Sequence, residues 1–163
     1  MAISSSECTN CEYSEPCIDD RLDFVLHTTE KMPKSTSRWL GSLEHETHER
    51  CSQCFSEMMQ PINFKSTPSV LVFEINSRNI KVNKTLKFEQ EGETVVLNVR
   101  RLIYHGDFHF TSCIVGTDGI VWYHDDMITG SSCENEGDFD KFSSKKLLKC
   151  KRKRLTLVVY AKV

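Results

Sequence analysis

The chain has 163 residues, enough for one ordinary domain with its own core, and its 39% hydrophobic and 27% charged content is that of a folded globular protein rather than a disordered one. A formal charge of −2 argues against a duplex-DNA binder held by overall charge. No apolar run approaches the roughly 18 residues that cross a bilayer, and the opening "MAISSSECTNCEYSE" has neither the charged nor the apolar region of a secretory signal.

Residues 1–60 read as an irregular, polar segment. Within it "LDFVLHTTEKM" (22–32) begins with strand-like alternation, and "STSRWLGSLE" reads as a loop or short helix. The character changes at "TPSVLVFEI", where a compact apolar run behind a proline suits a strand covered on both faces. "NKTLKFEQE" and "TVVLNVRRLIYHG" follow, separated by a polar "EQEGE" turn. Then come "FHFTSCIV", the turn "GTDG" and "IVWYHDD". A polar linker and the basic run "KKLLKCKRKR" (145–154) lead to a last strand, "LTLVVYAKV". Several β-runs with short turns and no strong amphipathic helix predict an antiparallel sheet for residues 61–163. The basic run could serve as a nuclear localisation signal or a phosphate-binding patch, but a solvated loop and strand start is favoured, because it feeds directly into the last strand. "EHETHER" (44–50) lacks the His-Glu-x-x-His spacing of zinc proteases and reads as a solvated turn. Trp39 reads as a packing residue.

Eight cysteines in a chain without a signal peptide point to reduced thiols and an intracellular protein rather than a disulfide framework. Cys8-Thr-Asn-Cys11 and Cys51-Ser-Gln-Cys54 form two Cys-x-x-Cys pairs. Each can turn as a knuckle that aims both thiolates at one point. Together they supply the four soft ligands of a closed, structural Zn²⁺ site. Cys17 is the spare, either a substitute ligand or an ordinary buried thiol, and Cys133 and Cys150 carry no assignment.

Asp118-Gly119 between two alternating runs is a hairpin signal. With Thr117-Asp118-Gly119 as a three-residue loop, Gly116 opposes Ile120, Thr111 opposes Asp125 and His109 opposes Met127. His109 and Asp125 then share a face as diagonal neighbours, with Cβ atoms roughly 7 Å apart. A two-residue loop would shift the register and bring Asp126 to that face instead. The terminal glycine suits the longer loop. A carboxylate on one ring nitrogen leaves the other free as a base, which is the orienting half of a nucleophile–base–orienter triad. The same pattern is compatible with a plain hydrogen bond on a surface hairpin. Cys113 is an unsuitable nucleophile, since four residues along a strand put it ~13 Å from His109.

The order of these parts resembles the second half of the ubiquitin-specific protease catalytic domain. Two Cys-x-x-Cys pairs come first, and "PSVLVFEI" matches a proline-led strand. His105-Gly106 and His109-Phe110-Thr111 resemble the two parts of the family's histidine box, "WYHDD" its tryptophan–aspartate box, and Val159-Tyr160 its closing strand. The resemblance covers most of residues 8–163. There are departures. Phe108 stands where the family usually has glycine before the histidine, and the loop between the two boxes is short. "WYHDD" is one residue shorter than the common form, as in the divergent branch acting on SUMO. The family's cysteine box does not occur in these 163 residues, so the chain reads as a fragment or a degenerate paralogue.

The resemblance implies an α+β, β-rich fold: a papain-like palm half with an antiparallel sheet (61–163) and a zinc-stapled fingers lobe (1–60). It implies that His109 is the general base of a thiol isopeptidase, that Asp125 orients it, and that Asp126 is a second polar contact. Cys8, Cys11, Cys51 and Cys54 would hold a structural Zn²⁺ that shapes the fingers. The implied partner is ubiquitin or a ubiquitin-like modifier, with cleavage by a Cys-His-Asp mechanism whose cysteine lies outside this chain. The alternative is a catalytically inactive module that still binds such a modifier. Cytoplasm or nucleus is the expected location, with no membrane partner; a zinc-ribbon nucleic-acid protein using the basic run is the less favoured third reading.

Overall fold

Strand pairing builds the N-terminal lobe. A computed structural model describes residues 2–19, 23–26, 34–42, 44–64, 66–76 and 79–162. Its first elements are β1 (Ala2–Cys8), β2 (Ser14–Asp19), β3 (Asp23–Leu26), α1 (Thr36–Ser42), β4 (Glu44–Arg50) and β5 (Glu57–Phe64). Four of them form an antiparallel sheet in the order β2-β1-β5-β4. The segment expected to be irregular is therefore largely strand, and "EHETHER" is β4 rather than a turn. Both differences have one cause. β1, β2 and β4 are mostly polar and the alternation Met58, Ile62, Phe64 of β5 is broken by Gln60, so the period-two apolar pattern is weak, and their backbone groups are satisfied by each other.

The pairing also fixes where the knuckles fall. β1 and β2 form one hairpin, β4 and β5 another, and Cys8 pairs with Met58 across β1 and β5. The turn after β1 and the turn before β5 therefore lie at the same end of the sheet.

β3 leaves this lobe and joins the second sheet, where it pairs parallel with β6 (Val70–Ile75). The remaining strands of that sheet are β7 (Thr85–Gln90), β8 (Glu93–Gly106), β9 (His109–Val115), β10 (Ile120–His124) and β11 (Glu134–Asp138). A single helical turn, α2 (Ser144–Leu147), then leads to β12 (Lys149–Cys150) and β13 (Lys153–Ala161). The order is β11-β10-β9-β8-β13-β6-β3, with β7 added beside β8 and β12 beside β13. Apart from β3 with β6, the pairings are antiparallel.

The core lies on one face of this sheet. Leu71, Phe73 and Ile75 of β6 are buried while the residues between them are half-buried, so β6 is covered fully on one face rather than on both. Leu97, Val99, Leu102 and Tyr104 of β8 continue the layer, as do Val121 and Tyr123 of β10 and Val158 and Tyr160 of β13. Trp39 and Leu40 of α1 close it, with the Trp39 ring edge-on to Phe73 at 5.4 Å. Ser35 caps α1, its hydroxyl accepting from Arg38 N–H at 3.2 Å, so a seven-residue helix is held by its cap and its buried tryptophan.

Three two-residue turns join strands here: Glu91-Gly92, Asp107-Phe108 and Lys151-Arg152. In each both residues take left-handed φ values, yet only the first contains glycine. This matches the twist of the flanking strands. The lack of glycine hides the second and third turns from a sequence reading.

Candidate active site and metal centre

The hairpin that carries the histidine has the three-residue loop. Gly116 N–H donates to Ile120 C=O at 2.8 Å, Gly119 has φ +78°, and the ladder pairs Val115 with Val121 and Ser112 with His124. Continuing that register sets Thr111 against Asp125, as expected.

His109 begins β9, directly after the Asp107-Phe108 turn, and its side chain is 19% exposed. Its Nε2 lies 2.9 Å from Asp125 Oδ1 and 3.3 Å from Asp126 Oδ1. Both acids that the alternative loops would have chosen between thus reach the same nitrogen. Asp126 is exposed, whereas Asp125 is buried. An ionised carboxylate only accepts, so in the neutral ring the proton sits on Nε2 and Nδ1 keeps its lone pair. Among the described residues Nδ1 has no hydrogen-bond partner.

Asp125 is held from several sides. Met127 N–H donates to Oδ1 at 3.1 Å and the Tyr123 hydroxyl donates to Oδ2 at 2.9 Å. Lys153 Nζ lies 3.6 Å from Oδ2. The Asp125 backbone carbonyl accepts from Thr129 N–H at 2.7 Å and from the Thr129 hydroxyl at 2.8 Å, which closes the turn after β10. Burial pushes the carboxyl pKa up, but hydrogen bonds from His109, Tyr123 and Met127 outweigh it and hold the group down to about 2. The phenol of Tyr123 is pushed up to about 12 by burial and by its bond to Asp125, so it stays a donor. Sequence reasoning missed Tyr123 and Lys153. Tyr123 stands two residues before Asp125 on the same strand face, a period-two signal that was available. Lys153 reaches the site only through the pairing of β13 with β8.

That pairing depends on Gly106. A Cβ there would meet Lys153 Cα and Cγ, both at 3.3 Å. The glycine lets the lysine stem pass close beside the end of β8 and carry its ammonium to Asp125.

The Cys-x-x-Cys turns meet as their spacing predicts. The sulfurs of Cys8 and Cys54 are 3.3 Å apart, those of Cys11 and Cys54 3.6 Å, and those of Cys11 and Cys51 3.7 Å. All four lie within 4.8 Å of one another. Tetrahedral Zn–S bonds of about 2.3 Å require S···S separations of about 3.8 Å, so the cluster fits one zinc ion with slight expansion. Asn10 and Gln53 N–H donate to the Cys8 and Cys51 sulfurs, each at 3.4 Å, in matching positions of the two turns. Hydrogen bonds from the Ser56 side chain and backbone lower the Cys54 thiol, which favours the thiolate that a metal requires. Four sulfurs leave no open position. The metal would shape the lobe and take no part in chemistry. The side chain of Cys17 lies outside the described residues.

The other described cysteines lie elsewhere. Cys113 is buried against Cys150, and Cys133 is exposed between β10 and β11. Among the described residues no helix is long and apolar enough to cross a membrane.

No protein-family model and no curated protein matches the sequence. Solved structures do match. A SAGA DUB module of Ubp8, Sgf11, Sus1 and Sgf73 bound to monoubiquitin is 15% identical, covering 98% of this chain and 39% of that chain, at a TM-score of 0.55. The likeness is one of fold. A yeast SAGA DUBm structure with an altered Sgf73 gives 15% identity, 98% and 40% coverage and a TM-score of 0.58. The present chain thus spans about two-fifths of the length of those chains. The sheet-rich architecture with its four-cysteine cluster is the one expected from the sequence, an antiparallel palm-like sheet beside a cysteine-stapled lobe.

Proposed function

We propose that the chain is the palm-and-fingers part of a cysteine isopeptidase that removes ubiquitin or a ubiquitin-like modifier from its conjugates. His109 takes the proton of the attacking thiol through Nδ1 and later returns it to the leaving lysine amine. Asp125 fixes the tautomer and stabilises the imidazolium, and Asp126 gives Nε2 a second contact. The thiol comes from outside residues 1–163. The four knuckle cysteines hold a structural zinc, and the lobe and sheet grip the body of the modifier. The four-stranded lobe acts as fingers and the second sheet, with β3 and α1 against it, as palm, in a protein of the cytoplasm or nucleus.

One observation carries this reading: a buried, multiply bonded carboxylate sits on Nε2 of a partly exposed histidine whose other nitrogen has no hydrogen-bond partner among the described residues. Surface hairpins have no need of such an arrangement, whereas a general base does. The likeness to DUB-module structures, one of them bound to monoubiquitin, supports the choice of partner.

A second reading is a binding module without turnover. It is favoured by the engagement of Cys8, Cys11, Cys51, Cys54 and Cys113 in other contacts. Either reading requires binding. Titrating isotope-labelled chain with ubiquitin and with SUMO is expected to shift amide resonances of the lobe and sheet for one of them. Absence of shifts with both would remove both readings. A modifier carrying an electrophilic C-terminus separates them. The chain alone is expected to remain unlabelled, and labelling of one of its own cysteines would overturn the assignment of the nucleophile to another segment.

A further inference from the structure

The Cys113–Cys150 pair lies outside the metal cluster and the His109 site. β12 turns into β13 at Lys151-Arg152, and this turn is fastened over the face of the sheet that carries Cys113. The Lys151 ammonium sits 3.8 Å from the centre of the Tyr123 ring and pairs with Glu134 and Glu136 of β11. The result brings Cys150 Sγ to 3.9 Å from Cys113 Sγ, although the two residues are 37 positions apart in sequence.

The two thiols differ in access. Cys113 is 1% exposed and lies in the core layer. Cys150 is half-buried and lines a pocket of about 120 Å³ together with Tyr104, Glu136, Lys146, Lys149 and Lys151. That volume takes a few molecules of water size, each filling about 30 Å³ in the liquid. It admits a small polar oxidant. Their electrostatics differ in the same sense. Hydrogen bonding from the Cys113 thiol lowers Cys150, with Lys151 and Lys146 adding to the effect against burial and Glu136. The bond to Cys150, together with burial, raises Cys113. A half-buried thiol lining a pocket beside lysines, with a second thiol in contact, is the arrangement of an oxidation-sensitive pair.

We propose that Cys150 and Cys113 form an oxidative modification site that a small hydroperoxide, such as hydrogen peroxide, converts to a disulfide. The Cys150 thiolate attacks one peroxide oxygen, and an S–O bond forms as the O–O bond breaks. Sulfur is oxidised to sulfenic acid, and hydroxide leaves and takes up the proton released when the thiol ionised, giving water. Cys113 sulfur then attacks the sulfenic sulfur, the S–O bond breaks, and the hydroxyl leaves as a second water with the Cys113 proton. Two thiols and one peroxide give one disulfide and two waters. Forming the disulfide closes the sulfur separation from 3.9 Å to the roughly 2.05 Å of an S–S bond. The bond ties the lysine-bearing β12–β13 turn to the strand that begins with His109. None of this depends on the isopeptidase reading.

The zinc-loaded full chain is treated with hydrogen peroxide, alkylated, digested and mapped by mass spectrometry. The expected product is a dithiothreitol-sensitive peptide pair joining Cys113 to Cys150, formed before the exposed Cys133 is oxidised. In Cys113→Ser, dimedone is expected to trap sulfenic acid at Cys150. Recovery of both cysteines as separate alkylated thiols under conditions that oxidise Cys133 overturns the proposal, and so does a disulfide from Cys150 to any other cysteine.

Discussion

Replacing Phe108 by glycine is expected to stabilise the protein, although it deletes a large apolar side chain. Phe108 has φ +57° and follows Asp107 at φ +52°, so both residues of the turn before His109 are left-handed. The ring is fully exposed, so no packing is lost with it. Left-handed φ costs a residue with a Cβ about 1–2 kcal/mol. Glycine escapes that cost but gives up about 0.5–1 kcal/mol through the freer unfolded chain. The net gain is about 0.5–1 kcal/mol, or a rise of roughly 1–4 °C in Tm for a chain of this size. Phe108→Ala is the control, since it removes the ring and keeps the strain; its expected effect is within about 0.5 kcal/mol of zero. Urea midpoints and thermal scans of the zinc-loaded protein measure both. If glycine lowers stability, or alanine stabilises as much as glycine does, left-handed strain does not govern the turn that positions His109.

Other consequences follow from the same contacts. Chelating the metal, or Cys51→Ser, is expected to abolish one equivalent of bound zinc and melt the lobe sheet while the palm core persists; metal analysis and circular dichroism read the two effects. The Asp125 carboxyl titrates near 2 when folded, below its ordinary 3.8, so its contribution to stability is complete above about pH 4 and is lost as pH falls through 2. Asp125→Asn is expected to remove that acid limb from a plot of urea midpoint against pH. Gly106→Ala puts a Cβ 3.3 Å from the Lys153 backbone and is expected to cost about 1–3 kcal/mol, with loss of the Lys153–Asp125 contact visible as a raised Asp125 pKa by carboxyl NMR.

The parts of the molecule visible in its sequence are those governed by short-range chemistry. Gly119 fixed the loop length, the loop length fixed the register, and the register put Asp125 beside His109. The knuckle spacing predicted a four-sulfur cluster even though the strands between the turns went unread. Elements resting on long-range pairing were hidden. The strands β1, β2 and β4 are mostly polar in sequence, the alternation Met58, Ile62, Phe64 of β5 is broken by Gln60, and β3 pairs parallel with a strand some fifty residues later. In the linker after β10, β11 and α2 are short and polar, their places fixed by contacts such as Lys151 with Glu134. Tyr123 was legible from its spacing to Asp125. Lys153 and the Cys113–Cys150 contact were not, because each joins residues that only the folded sheet brings together. The basic run reads as a solvated loop and strand start; it holds a helical turn and a glycine-free hairpin as well.

The central claim is that His109 is a general base, and isopeptide cleavage by the complete natural polypeptide tests it most directly. His109→Gln, in a protein that keeps its zinc and its unfolding midpoint, is expected to lower kcat/KM on a ubiquitin-type conjugate by about 10²–10⁴-fold. Cleavage at the wild-type rate by that variant, or no cleavage of ubiquitin or SUMO conjugates by the wild type, would contradict it.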